Sequence, residues 1–378
     1  MKQQTAWAGV LALAFSVAIC ARTQAGVIMI STRNAQDTQF GLNEIVTDEK
    51  GPGLATPGDV AMASLFHDQG YTCRLILDTL LGPRAAEIGQ DPATFLQPLN
   101  SNFAISLIIM SGSGGSADTP PPPPGIPLMM GEHVCLGDRT DRQGSIFMYS
   151  NGTQSSDPNE GTGASKYMKV IAPSHPILQG IPLDAQSRVK IFREAYPEEE
   201  LHVPEGGKRN YEYRWCTQLA ANAAPGTTVL AVLDGEEDRA CFAVADVGGL
   251  NAAGTTVSNR VVHMFLNEQG SGGSRRVFLA LTDLGRIIFL RAAKWAMGET
   301  LAPYSAFRIT GVSPAGPGNL RLSWEGSSRH NYKIQASADV RRWQTVIDDL
   351  VGSDGVLNHT LDIGAAPGTL FLRVGRMP

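Results

Sequence analysis

Glu132 and His133 stand side by side where an apolar run, Ile126 to Met130, gives way to polar residues. A carboxylate beside an imidazole can serve as base, acid or ligand, provided a strand end holds both in an open crevice. The competing reading is a solvated, hydrogen-bonded loop, and the isolated pair favours it. Cys135 lies just beyond, a thiol that becomes a nucleophile only beside a base. Ser113, in Ser111-Gly112-Ser113-Gly114-Gly115, nearly matches a G-x-S-x-G elbow. However, Ser111 occupies the place of the first glycine, and the proline run Pro120 to Pro124 denies the helix that such an elbow needs. The same residues fit G-x-G-x-x-A, but a dinucleotide site also requires a helix N-terminus there, so no cofactor is expected.

The seven histidines (His67, His133, His175, His202, His263, His330 and His359) form no H-x-H or H-E-x-x-H pattern, so no metal site is expected. Glu198-Glu199-Glu200 and nearby Glu205 lack the spacing of a calcium loop and read as a solvated face. Beyond Cys20, the chain keeps Cys73, Cys135, Cys216 and Cys241, with no C-x-x-C spacing. Four cysteines allow three complete pairings, and nothing in the spacing selects one. Cys73 and Cys241 sit in apolar, strand-like runs and read as buried hydrophobes.

Strands must position these groups. Val27 to Thr32 is an apolar run ending in polar residues, as in a central parallel strand. Pro57 to Gly70 predicts a helix capped by Thr56, then Arg74 to Leu77 and Ala104 to Met110 predict two further strands. That order favours a parallel sheet with crossover connections. Ser31, Ser111 and Ser113, at the ends of the first and third strands, are the candidate ligand contacts. Ser145 to Tyr149 and Thr228 to Leu233 read as short strands, and Val261 to Leu266 with Arg276 to Leu281 as a hairpin. Thr282 or Asp283 then caps a helix through Met297, ended by Gly298.

After Leu301-Ala302-Pro303 the texture changes to short alternating runs: Phe307 to Val312, Leu320 to Trp324, Tyr332 to Ala336, Gln344 to Ile347, Leu357 to Asp362 and Leu370 to Val374. Turns rich in Gly, Ser, Asn and Pro separate them, the pattern of a small antiparallel sandwich. Trp324, Tyr332 and Trp343 are its expected core aromatics, a glycan platform being the less favoured use. The fold class is therefore α/β, a mostly parallel sheet flanked by helices, plus a C-terminal all-β sandwich. The expected division is residues 1–25 as leader, 26–302 as the α/β domain and 303–378 as the sandwich.

The 378 residues carry 31 Lys+Arg against 36 Asp+Glu, a net charge of −5, which argues against a nucleic-acid partner. A 43% hydrophobic content argues against disorder. Lys2, an apolar run from Ala6 to Ile19 and small residues before Gly26 form a secretory leader cleaved after Ala25. Cys20 suits lipoprotein processing poorly, because Ile19 stands where a small residue is needed. The expectation is a secreted or periplasmic protein with no membrane span after leader removal.

Several segments carry a family resemblance. Val27 to Thr32, Ile126-Pro127-Leu128-Met129-Met130-Gly131-Glu132, Ser174-His175-Pro176-Ile177-Leu178-Gln179-Gly180-Ile181 and Arg276 to Gly298 resemble the class I glutamine amidotransferase-like, flavodoxin-like fold. The resemblance is nearest the secreted, sugar-utilisation (ThuA-like) branches of planctomycetes and verrucomicrobia. It implies a nucleophile elbow after the central strand and a histidine after a late one. Two alignments compete: one puts Glu132 at the nucleophile position, the other puts Cys135 there with His133 in place of the first glycine. In either, the late strand is expected to end Leu281-Thr282-Asp283 without a histidine, so glutamine hydrolysis is not expected. His175 lies in the family-like segment, where His-Pro commonly shapes a turn. Leu322-Ser323-Trp324, Tyr332 to Ser337, Asp339, Arg342-Trp343 and Phe371 to Val374 resemble small immunoglobulin-like (fibronectin III-like) modules. The combined expectation is an exported protein associating with a glycan or cell-envelope component without catalysis. The alternative is a secreted hydrolase or sugar-modifying enzyme using Glu132 and His133, with Cys135 and His175 as further catalytic candidates.

Overall fold

The structure, a computed structural model, describes residues 27–32, 38–40, 57–67, 69–81, 91, 93, 104–115, 119, 124–138, 145–150, 165–193, 215–267, 277–304, 309–326, 331–339, 342–353, 355–364 and 370–377. The leader with Cys20, the Thr56 cap, Pro120 to Pro123, Glu198 to Glu200, Glu205, His202 and His330 lie outside the described residues.

Seventeen strands are described, and the first eleven build one mixed sheet. In chain order they are β1 (Val27–Thr32), β2 (Thr38–Phe40), β3 (Thr72–Leu77), β4 (Ile105–Met110), β5 (Leu128–Met130), β6 (Tyr167–Val170), β7 (Arg188–Lys190), β8 (Gln218–Leu219), β9 (Thr227–Leu233), β10 (Glu236–Ala245) and β11 (Val261–His263). Across the sheet the order is β2-β3-β1-β4-β5-β11-β10-β9-β6-β7, with β8 paired to β10. From β3 to β11 every neighbouring pair is parallel, and from β11 to β7 every pair is antiparallel. Both ends of the path are three-residue antiparallel strands, β2 and β7.

Alternation along the central strands divides the core between two faces. Ile28, Ile30, Cys73, Leu75, Leu107, Ile109, Met129 and Val262 face one side. There they meet helix α1 (Pro57–His67) through Met62, Ala63 and Phe66, and helix α3 (Asp283–Ala296) through Ile288, Phe289 and Ala292. Ile76, Ile108, Met110, Leu128, Met130 and Val261 face the other side. Among the described residues, that face is covered mainly by irregular segments carrying Cys135, Ile146, Met148, Tyr149 and Cys216, beside a single helical turn, α2 (Asp78–Leu81).

Two expectations about these elements are corrected. Ser145 to Tyr149 is not a strand; Ile146 and Met148 are buried, but the segment makes only isolated bridges, Gly137 to Tyr149 and Tyr149 to Ala223. Val277 to Ala280 is a 3₁₀ turn, so the expected hairpin with Val261 to Leu266 does not form. Its apolar residues are buried, and a short apolar run does not distinguish strand from helix. Val261–His263 pairs instead with β5 and β10.

The C-terminal strands are β12 (Ile309–Pro314), β13 (Asn319–Gly326), β14 (Asn331–Ser337), β15 (Gln344–Val351), β16 (Gly355–Asp362) and β17 (Phe371–Met377). They form two antiparallel sheets, β12-β13-β16 and β15-β14-β17. Leu322, Trp324 and Leu361 from one sheet pack with Tyr332, Ile334 and Val374 from the other, which makes a sandwich-like pair. Trp343 stays outside that core, correcting its expected place, and the Arg373 guanidinium lies 4.3 Å from its ring centre.

Thr282, the N-cap of α3, fastens the helix to the sheet edge. Its Oγ1 accepts from the Gly285 amide at 3.0 Å and donates to the Lys190 carbonyl at 2.8 Å. Thr282→Ala removes both bonds and should lower unfolding free energy by about 1–2 kcal/mol in urea titration.

Candidate functional site

The carboxyl ends of β4, β5 and β11 are laced together by backbone. The Gly131 amide donates to the Met110 carbonyl at 2.8 Å, and the Met264 amide to the Met130 carbonyl at 3.0 Å. A Cβ at position 131 would lie 3.1 Å from the Gly112 nitrogen and 3.2 Å from the Met110 oxygen. Glycine therefore lets the end of β5 touch the turn after β4.

That turn is held by carboxylates. Ser113 Oγ donates to Asp59 Oδ2 at 2.7 Å, the Ser113 amide to Ser111 Oγ at 3.2 Å, and the Gly115 amide to Asp78 Oδ2 at 2.7 Å. Asp59 comes from the first turn of α1 and Asp78 from the residue after β3. All four side chains are buried. Ser111 and Ser113 thus shape the turn from inside rather than presenting hydroxyls to a ligand, and Ser113 spends its proton on a buried carboxylate. The backbone of Ser31 lies between Ile76 and Met110, its side chain being outside the described residues. Sequence reasoning missed Asp59 and Asp78. The available signal was an acid placed directly behind a strand or at the start of the helix next to one.

Glu132 and His133 occupy the end of β5 as expected. Glu132 caps a 3₁₀ turn, His133–Cys135, by accepting from the Val134 amide at 3.3 Å, and its backbone is ordinary extended chain. The His133 Nδ1 is 3.7 Å from Glu132 Oε1, beyond hydrogen-bond reach. It lies 3.1 Å from Asn267 Nδ2. With the amide nitrogen donating, Nδ1 is bare and Nε2 carries the proton. The Gln218 Nε2 donates to the His133 carbonyl at 2.7 Å, while Gln218 Oε1 is buried without a hydrogen-bond partner among the described residues. The His133 side chain is 13% exposed and that of Glu132 3%, so the imidazole is the accessible member.

The late strand is β11, and the chain leaves it through Met264 to Asn267 rather than through Leu281 to Asp283. Asn267 is therefore the group that β11 delivers beside His133, and sequence reasoning did not single it out. β11 does carry an imidazole, but His263 is turned into the core. A carbonyl can only accept, so His263 Nε2 donates to the Cys216 carbonyl at 2.9 Å, and Nδ1 accepts from the Tyr149 hydroxyl at 2.8 Å. Burial pushes the imidazole pKa down to about 4, and burial holds the Tyr149 phenol well above its usual range.

Cys73, Cys135, Cys216 and Cys241 are all buried thiols rather than disulfides. Burial pushes Cys73 up to about 12 and raises Cys216 and Cys241 as well, Cys216 also feeling the negative charge of Glu132. Cys135 is fully buried, so neither competing alignment yields an accessible thiolate. His175 does not join this group. Its carbonyl accepts from the Leu178 and Gln179 amides, and its ring packs 5.4 Å from Trp295 at the far end of α3. Trp295 stacks against Arg260, which precedes β11, so His175 belongs to the amino-end side of the sheet.

Among the described residues, no group of three or more His, Cys, Asp or Glu side chains is placed to hold a metal. No helix among them is long and apolar enough to cross a membrane. Comparison with protein-family models, curated proteins and solved structures finds no match for this chain.

Iodoacetamide at pH 8 should leave Cys73, Cys135, Cys216 and Cys241 unlabelled in the folded protein and modify all four in denaturant, read by mass spectrometry. In the unfolded chain His263 titrates near 6.5, so between that value and about 4 the unfolded state binds the extra proton. Stability should fall as pH drops through this window, by on the order of 3 kcal/mol at full extent, then level off for this group. His263→Gln should be less stable near neutrality and show a shallower acid slope in denaturant titrations.

Proposed function

We propose that this is an exported protein whose large sheet is an amidotransferase-like, flavodoxin-like core that binds a small polar ligand of glycan type without catalysis. One observation carries the reading: at the carboxyl ends of adjacent strands β5 and β11, an accessible imidazole stands between a carboxylate and a carboxamide. Ligands of open α/β sheets collect at such strand ends. Glu132 and Asn267 are buried and flank the imidazole, and His133 is the group that offers an N–H to a ligand hydroxyl. The three lack the guanidinium fork that favours phosphate.

The same geometry weighs against turnover. Glu132 is tied to the Val134 amide and stands too far from His133 for a hydrogen-bonded dyad, and the four thiols are buried. The sandwich, read as an immunoglobulin- or fibronectin III-like module, is an accessory to binding in this proposal. Its Trp343 has one face taken by Arg373, so the glycan contact is assigned to the large sheet.

The test is calorimetric titration of the leader-free protein with a panel of mono- and oligosaccharides, alongside assays for glutamine and sugar-ester hydrolysis. Binding is expected, with His133→Ala weakening it about tenfold or more by loss of a hydrogen bond to the ligand, and Asn267→Ala weakening it by a smaller factor through the released imidazole. Binding indifferent to both substitutions would overturn the site assignment. Turnover abolished by Glu132→Gln would overturn the non-catalytic reading.

A further inference from the structure

The family-like turn Ser174 to Ile181 has no part in the site above, yet its backbone is occupied. Arg291, on the outer face of α3, donates Nε to the Ile177 carbonyl at 2.7 Å and Nη2 to the Pro176 carbonyl. Its third nitrogen, Nη1, reaches the Ala302 carbonyl at 2.9 Å. One guanidinium thus ties the turn to the chain that leaves α3. The Tyr304 amide then donates to the Gln179 carbonyl at 2.8 Å. Gly180 adopts φ +82°, and a Cβ there would sit 2.2 Å from the Tyr304 oxygen and 2.8 Å from its nitrogen. The glycine is therefore needed twice, for its left-handed backbone and for the close approach of another strand of chain. Upstream, the Glu299 carboxylate accepts from the Tyr71 hydroxyl, and Leu301 and Tyr304 pack against the large core.

We infer that Glu299 to Tyr304 is a fastened strap and that the Ser174 to Ile181 turn is its receptor. The segment between α3 and the first strand of the sandwich is not a free hinge over these residues. Its Glu299 carboxylate, Tyr304 amide and Ala302 carbonyl are taken up by three separate parts of the α/β region: Tyr71 ahead of β3, the 174–181 turn, and α3 itself. A three-point attachment, backed by an arginine fork and a glycine, fixes the course of the chain from α3 as far as Tyr304. The role of His175 in this arrangement is to shape the receptor through its carbonyl, which takes the Leu178 and Gln179 amides.

Hydrogen exchange of the full chain, read residue by residue, tests the strap directly. The Tyr304 amide should exchange about a hundredfold or more slower than an unstructured amide, because opening must break several bonds together. Exchange at the unstructured rate would overturn the inference with no variant required. Arg291→Ala and Gly180→Ala should each raise chymotryptic cleavage after Leu301 and Tyr304 about tenfold. Exchange in α1 and in the sandwich strands should stay unchanged. Protection of Tyr304 that persists in both variants would also overturn it, and if either variant unfolds wholesale, the exchange of the unsubstituted chain decides.

Discussion

The pairing of Val261–His263 with Leu128–Met130 is the constraint on which the rest of the large sheet depends. β11 is the strand where the sheet changes character, parallel to β5 on one side and antiparallel to β10 on the other. Three ladder positions set everything at its carboxyl end. Val262 enters the helix-covered core, His263 turns the opposite way onto Tyr149, and the chain runs on to bring Asn267 against His133. A slip of one residue would exchange the faces, driving an imidazole towards the helices and stranding the Tyr149 hydroxyl and Cys216 carbonyl. Such a slip is costly, because both groups are deeply buried and an unmet polar group in that setting is expensive.

The acids gathered at the strand ends look, by type and place, like catalytic machinery, and their bonds show another use. Asp59 takes the Ser113 hydroxyl, Asp78 the Gly115 amide and Glu132 the Val134 amide. Each turn leaving a parallel strand would otherwise bury backbone or hydroxyl donors without acceptors, and a carboxylate supplies the strongest one available. With Gly131 pressed against Gly112, the result is a closely packed rim on which His133 is more exposed than its neighbour Glu132.

Much of this architecture was legible in the residues. The apolar runs of β1, β3, β4 and β9, the capped pattern of α3 and all six sandwich strands came from periodicity and turn chemistry, with bounds shifted by a few residues. The features that escaped were set by contacts far apart along the chain. β11 was read with its sequence neighbour, whereas its real partner β5 lies more than a hundred positions earlier. β10 begins Glu236-Glu237-Asp238-Arg239, a charged start that hides a long strand, because those residues project from the exposed end of its hairpin with β9. The site divided in the same way. Glu132 and His133 were visible as neighbours at a strand end, but no local pattern could join Ser113 to Asp59 or His133 to Asn267.

The short strands that close the sheet have a consequence beyond its folding. A path of ten strands would invite further chains to add to it, since a long flat rim of unmet backbone groups is a template for growth. Here each rim is only three residues long. On one of them Arg188 and Lys190 both lie over the Tyr167 ring, and the Lys190 carbonyl is already taken by the Thr282 hydroxyl, which leaves less backbone for an arriving strand. The sheet is in this sense self-terminating, blunted against fibril propagation even though its interior is rich in the β-branched and aliphatic residues that fibrils favour.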